Sequence, residues 1–342
     1  MASHNSKHLL KTMPDEREKS RAELYITLFL LSFVWFVAAN VGLRSEREVG
    51  PLPSTAAALS EQNALAKLLS SKWFLAGALA TLIISSLLLT FASIAKRGGR
   101  SPVPQAPRNE VTWNIWAIVK SIVIFIFLYI TALWTIYFLG KRLPMLREHL
   151  VIRLLTDGGL KALVCFWIYI MLRREYGAHL SNMGIRLPGI GKALLYAFLG
   201  YISILCVVCV AGLAWSFLGE YLGMEKKENP VVTLLLTERS RSAVLATLFI
   251  VVVLTPLTEE FYFRVLTFCA LRKSFGFWAS AAISSLYFAL IHLNFYSVVP
   301  IFILGIFLAY IYERTQNFAS AVFVHALHNG IQVSLFLSVR QA

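Results

Sequence analysis

From residue 24 onward the chain alternates between long apolar runs and short polar connections. A helix that crosses a bilayer needs about 20 mostly apolar residues. That length predicts about nine spans, over 24–43, 73–95, 113–139, 154–172, 191–218, 242–271, 277–293, 297–313 and 318–338. The fourth is shortened by Asp157 and Lys161. The sixth is longer than a bilayer requires and is expected to tilt or bend. The predicted fold class is therefore all-α, a polytopic transmembrane helix bundle. Segment 180–191, with Arg186 and Pro188, reads equally as an interfacial entry to the fifth span or as a plain loop. No internal repeat is visible.

Composition supports a lipid solvent. Of 342 residues, 58% are hydrophobic and 15% charged, and the mean hydropathy is +0.67. A soluble chain of this length is far less apolar. The formal net charge of +14 is scattered over short loops, which suits anionic lipid headgroups and excludes the single basic stripe of a nucleic-acid binder. Loop 96–112 is short and basic, so it is placed in the cytoplasm. The N-terminus, Arg173/Arg174 and Arg272/Lys273 then fall on the same side by alternation. The acidic Asp15, Glu16 and Glu18 argue for an uncleaved first span over a secretory signal. Cys165, Cys206, Cys209 and Cys269 all lie in apolar runs. Cys206 and Cys209 have redox spacing but no second pair, so they are read as packing residues.

Candidate chemistry is confined to the last four spans. Glu259 and Glu260 stand side by side in an apolar run, with Arg264 one turn on. Carboxylates at bilayer depth are costly, about 2.5–3.5 kcal/mol on the insertion scale, and mark functional sites by default. Residues four apart share a helix face, so Glu260 can pair with Arg264. Glu259 is turned about 100° away and is left for other work. Pro256, one turn earlier, cannot donate to the carbonyl of Val252 and loosens the helix there. In the seventh span His292 shares a face with Phe288. In the ninth, His325 and Asn329 share a face and His328 is turned aside. At about 1.5 Å per residue, Glu259 lies roughly 20 Å from its cytoplasmic end, His292 roughly 23 Å, Asn329 roughly 17 Å and His325 roughly 10 Å. Tilted helices can bring these to one cavity. A carboxylate and a histidine can bind and deprotonate water, and a histidine with an asparagine can hold an oxyanion. That is the equipment of a hydrolase without a covalent nucleophile. No G-x-S-x-G and no H-E-x-x-H is present. Zinc on His292, His325 and a glutamate is chemically allowed but not favoured. A structural ion pair and interhelical hydrogen bonds are the alternative account of the same residues.

The three segments resemble, in order and spacing, the signature motifs of the CPBP family, the CAAX-protease and bacteriocin-processing group of intramembrane proteases. They stand as Glu259-Glu260-Phe-Tyr-Phe-Arg264, Phe288-Ala-Leu-Ile-His292 and His325-Ala-Leu-His-Asn329. Gly305 and the stretch from Tyr312 to Thr315 are similar to the family as well, and the resemblance spans roughly residues 180–338. It implies that Glu259 is the general base, assisted by His292. His325 and Asn329 would stabilise the oxyanion, and Glu260 and Arg264 would support the geometry. No cofactor is expected. The chain divides into a polar tail at 1–22, an upstream transmembrane region at 23–179 and a protease core at 180–342. The expected partners are membrane lipids and membrane-protein or lipidated peptide substrates, with no nucleic acid. The expected location is the plasma (inner) membrane of a prokaryote, multi-pass, with the N-terminus cytoplasmic. The competing reading is a catalytically silent scaffold or immunity-type binding protein on the same fold. A transporter is disfavoured because no repeat with matched broken helices is seen.

Overall fold

The structure is a computed structural model that describes residues 103–143, 150–224, 230–238 and 240–341, with Ile84 and Ser86. The first two predicted spans, 24–43 and 73–95, lie outside these residues apart from Ile84 and Ser86. Every described element is helical: α1 (Ile115–Gly140), α2 (Leu150–Glu175), α3 (Ile190–Tyr221), α4 (Pro230–Thr237), α5 (Arg241–Ser274), α6 (Phe277–Leu290), α7 (Phe295–Thr315) and α8 (Phe318–Gln341). The all-α membrane bundle expected from the apolar runs is what forms.

Five of these helices, α1, α3, α5, α7 and the Leu154–Glu175 part of α2, are long and apolar enough to cross a membrane. The seventh predicted span is shorter than expected. Its helix, α6, ends at Leu290 after 14 residues, because Ile291 to Leu293 leave the helix in a turn. The ninth, α8, has the length but is diluted by His325, His328, Asn329 and Gln332, and is not among the five. Segment 180–189 is a loop of turns, the plainer of the two alternatives. The short helix α4 lies between the fifth and sixth predicted spans.

Outward faces of α1 and α3 expose Phe127, Leu133, Phe138, Leu213 and Phe217, which is the apolar surface lipid would cover. The core lies where α5, α6, α7 and α8 meet, around Leu266, Phe268, Leu308, Ile311 and Val324, all buried. The helices α6 and α7 pack closely. A Cβ added to Gly305 of α7 would sit 2.9 Å from Ser285 Cβ of α6, so only glycine permits this approach. One end of the bundle is fastened by a non-helical stretch from Val103 to Trp113. The Ala106 N–H donates to the Arg314 carbonyl at 2.8 Å. Both Arg108 and Arg272 donate to Glu313 Oε1, at 2.8 and 3.2 Å. Buried Trp113 donates to the Leu266 carbonyl at 3.2 Å.

Candidate active site

The long helix α5 is not regular. Ile250–Leu254 and Phe261–Phe268 are π-helical, and Glu259 and Glu260 end the short α stretch between them. Such π turns recur at functional sites. Here the local cause can be traced. The Thr255 N–H turns back to the Ile250 carbonyl, so it is lost to Val251, its ordinary α-helical acceptor. The next residue, Pro256, has no N–H to offer. The Val251 carbonyl is thereby orphaned inside the bundle, and Asn329 Nδ2 of α8 donates to it at 2.9 Å. Pro256 does loosen the helix, as expected, and the carbonyl taken up by a side chain is that of Val251.

The two glutamates separate as their helical positions require. Glu260, fully buried, accepts from Arg264 Nε at 2.8 Å through Oε2 and from His325 Nδ1 at 2.9 Å through Oε1. The i, i+4 pair read from spacing is present. The guanidinium of Arg264 also lies over the Phe288 ring, 5.3 Å from its centroid. Glu259, 7% exposed, points elsewhere. Its Oε1 accepts from Lys161 Nζ of α2 at 3.4 Å. Its Oε2 is buried without a hydrogen-bond partner and lies 4.0 Å from His325 Nε2. His325 therefore stands between the two carboxylates. Because a carboxylate only accepts, Nδ1 carries the hydrogen shared with Glu260, and Nε2 is the atom turned to Glu259.

A cavity of about 440 Å³ opens beside Glu259 and is lined also by Lys161, Asp157, Tyr262, Tyr287 and His292. His292 sits in the turn after α6, and its Nδ1 donates to the Phe288 carbonyl at 2.8 Å. That bond fixes the tautomer and leaves Nε2 with its lone pair. The adjacent Leu293 holds φ of +50°, a left-handed conformation that costs an L-residue about 1–2 kcal/mol. The hydroxyls of Tyr262 and Tyr287 lie 3.1 Å apart.

The structure thus brings Glu259 and His292 to one cavity, with His325 behind Glu259. Glu260, Arg264, His325 and Asn329 are not among the lining residues. His325 and Asn329 instead hold Glu260 and the Val251 carbonyl. Among the described residues, no group of three His, Cys, Asp or Glu side chains is arranged to hold a metal ion. Sequence reasoning missed Lys161, which was counted only as an interruption of the fourth span.

Residues 241–331 match the family described as Type II CAAX prenyl endopeptidase Rce1-like. A protein of Bacillus subtilis (strain 168) named "Putative membrane peptidase YdiL" is 23% identical over 176 residues, covering 51% of this chain and 69% of that one. No solved structure matches the chain.

Proposed function

We propose that the chain is an intramembrane endopeptidase that activates water with Glu259 and His292, a reading supported by the match of residues 241–331 to the Rce1-like family of CAAX prenyl endopeptidases. The observation that carries this reading is the division of labour between adjacent carboxylates. Both oxygens of Glu260 are taken by Arg264 and His325, whereas Glu259, which lines the cavity with His292, keeps Oε2 buried without a hydrogen-bond partner, 4.0 Å from His325 Nε2. An unpaired carboxylate oxygen is the expensive state of that group, and a small turn of the side chain toward the cavity would let it accept from a water.

In the proposed reaction Glu259 takes a proton from that water as the hydroxide oxygen attacks the scissile carbonyl. His292 Nε2 orients the water by accepting its second hydrogen. The tetrahedral intermediate collapses, the C–N bond breaks, and the proton held by Glu259 passes to the leaving amine. His325 fixes Glu260 and bounds the far side of Glu259. Asn329 keeps one N–H beyond its bond to Val251 and is a proposed oxyanion donor after local adjustment; His325, whose Nδ1 hydrogen goes to Glu260, joins it only as the imidazolium, donating from Nε2. No metal takes part in these steps. The substrates proposed are membrane-associated peptides, including lipidated C-termini, because the cavity walls are aromatic and aliphatic apart from the groups named. The family description, which names prenyl endopeptidases, supports the same class.

The test compares new peptide termini in host membranes carrying wild-type protein or Glu259→Ala at equal abundance. Termini that appear only with wild type support the proposal and define the substrate. Identical sets from both would refute it and favour the binding scaffold.

A further inference from the structure

Lys161 is upstream of the family's matched residues 241–331, yet among the described residues it is the one lysine or arginine lining the Glu259 cavity. Its depth makes this placement costly. It lies 7 residues into the apolar Leu154–Glu175 stretch and 14 before its end, about 10 and 21 Å along the helix. A lysine inside a span ordinarily snorkels toward a headgroup region. Here Nζ is instead held at 3.0 Å from Asp157 Oδ2 and at 3.4 Å from Glu259 Oε1. The helix surface is shaped for this approach. Gly158, one turn before Lys161, faces α5, and a Cβ there would lie 3.1 Å from Leu254 Cδ2 and 3.5 Å from Ile250 Cγ2. Cys165, one turn after, places Sγ 3.3 Å from the Thr258 carbonyl. Gly158, Lys161 and Cys165 therefore form one stripe that runs along α5 from Ile250 to Glu259.

We infer that Lys161 is a positioning residue for Glu259: it fastens Oε1 and so leaves Oε2, which has no partner, as the oxygen available to a water. The inference rests on the proteolytic reading of the site. It makes the active centre depend on a helix that the family match does not reach. The rival explanation is that Lys161 serves only to neutralise Asp157, its own i, i+4 neighbour.

The full chain is assayed in detergent with the peptide whose new terminus the membrane comparison yields. Lys161→Met is expected to lower kcat by about a hundredfold, the scale of a misplaced reacting group, with KM changed by less than about threefold. Lys161→Arg is expected to recover most of that loss. An unchanged kcat for Lys161→Met overturns the inference. So does a Lys161→Arg variant no more active than Lys161→Met. A second measurement does not need activity. Melting temperatures of Lys161→Met, Glu259→Gln and the double variant form a cycle. Non-additive shifts support the pairing even if wild type cleaves nothing, which would sink the proteolytic reading alone. Additive shifts overturn the pairing.

Discussion

Replacing Glu260 by alanine tests the division between the carboxylates most sharply. Glu260 and Arg264 are both fully buried, and the pair is closed at 2.8 Å. Removing the anion strands a guanidinium whose Nη1 and Nη2 already lack hydrogen-bond partners. Breaking one partner of a buried pair costs about 3–5 kcal/mol, and the lost bond to His325 Nδ1 adds about 1 kcal/mol. The Phe288 ring under Arg264 contributes before and after the change, so it offsets nothing. The expected loss is about 4–6 kcal/mol. Glu259→Ala behaves differently. Its partner Lys161 retains Asp157 at 3.0 Å, the bond lost is the longer one at 3.4 Å, and the expected cost is about 1–2 kcal/mol, well below that of Glu260→Ala. Unfolding of each variant is followed by denaturant titration in mixed micelles. A double variant, Glu260→Leu with Arg264→Met, removes both charges and is expected to be more stable than Glu260→Ala. Equal losses for Glu259→Ala and Glu260→Ala would refute the reasoning, as would a double variant less stable than Glu260→Ala.

Four further outcomes are expected. His292→Ala stops turnover while stability falls by about 0.5–1.5 kcal/mol, the loss of one hydrogen bond to the Phe288 carbonyl from a residue in an exposed turn; parallel activity and unfolding measurements check this. Purified protein carries zinc well below one equivalent by elemental analysis, and chelators leave proteolysis unchanged. Gly305→Leu forces α6 from α7, given the 2.9 Å approach to Ser285 Cβ, and destabilises by about 1–3 kcal/mol or more in the same titration. Leu293→Gly relieves the left-handed backbone, about 1–2 kcal/mol, against a glycine entropy cost of about 0.5–1 kcal/mol. It is therefore expected to be slightly more stable but slower, since His292 loses a rigid neighbour.

The features legible in the sequence are those carried by helical arithmetic. Spacing of four joined Glu260 to Arg264 and turned Glu259 away, and the distances agree. Counting residues from the helix ends placed Glu259 and His292 at similar depth, and they share a cavity. Three features were hidden for physical reasons. A lysine in a hydropathy window registers only as lost apolarity, so Lys161 appeared to shorten a span instead of completing a site. The phase of a π turn leaves no periodic trace in a run such as Ile250-Val-Val-Val-Leu254. The engagement of Asn329 follows from the carbonyl that this turn orphaned, so it could not be read before the turn was known. The short length of α6 was concealed because Ile291 and Leu293 continue its apolar run beyond the last helical residue.

The first π stretch also sets the phase of this helix. A π turn accommodates one residue more than the α-helical path it replaces. Were residues 250–254 to wind as regular α-helix with none removed, the glutamates would turn by about 100° relative to the residues upstream, away from Lys161 and His325 together. The π turn absorbs that extra residue and so keeps the carboxylates in phase with the helices packed around them.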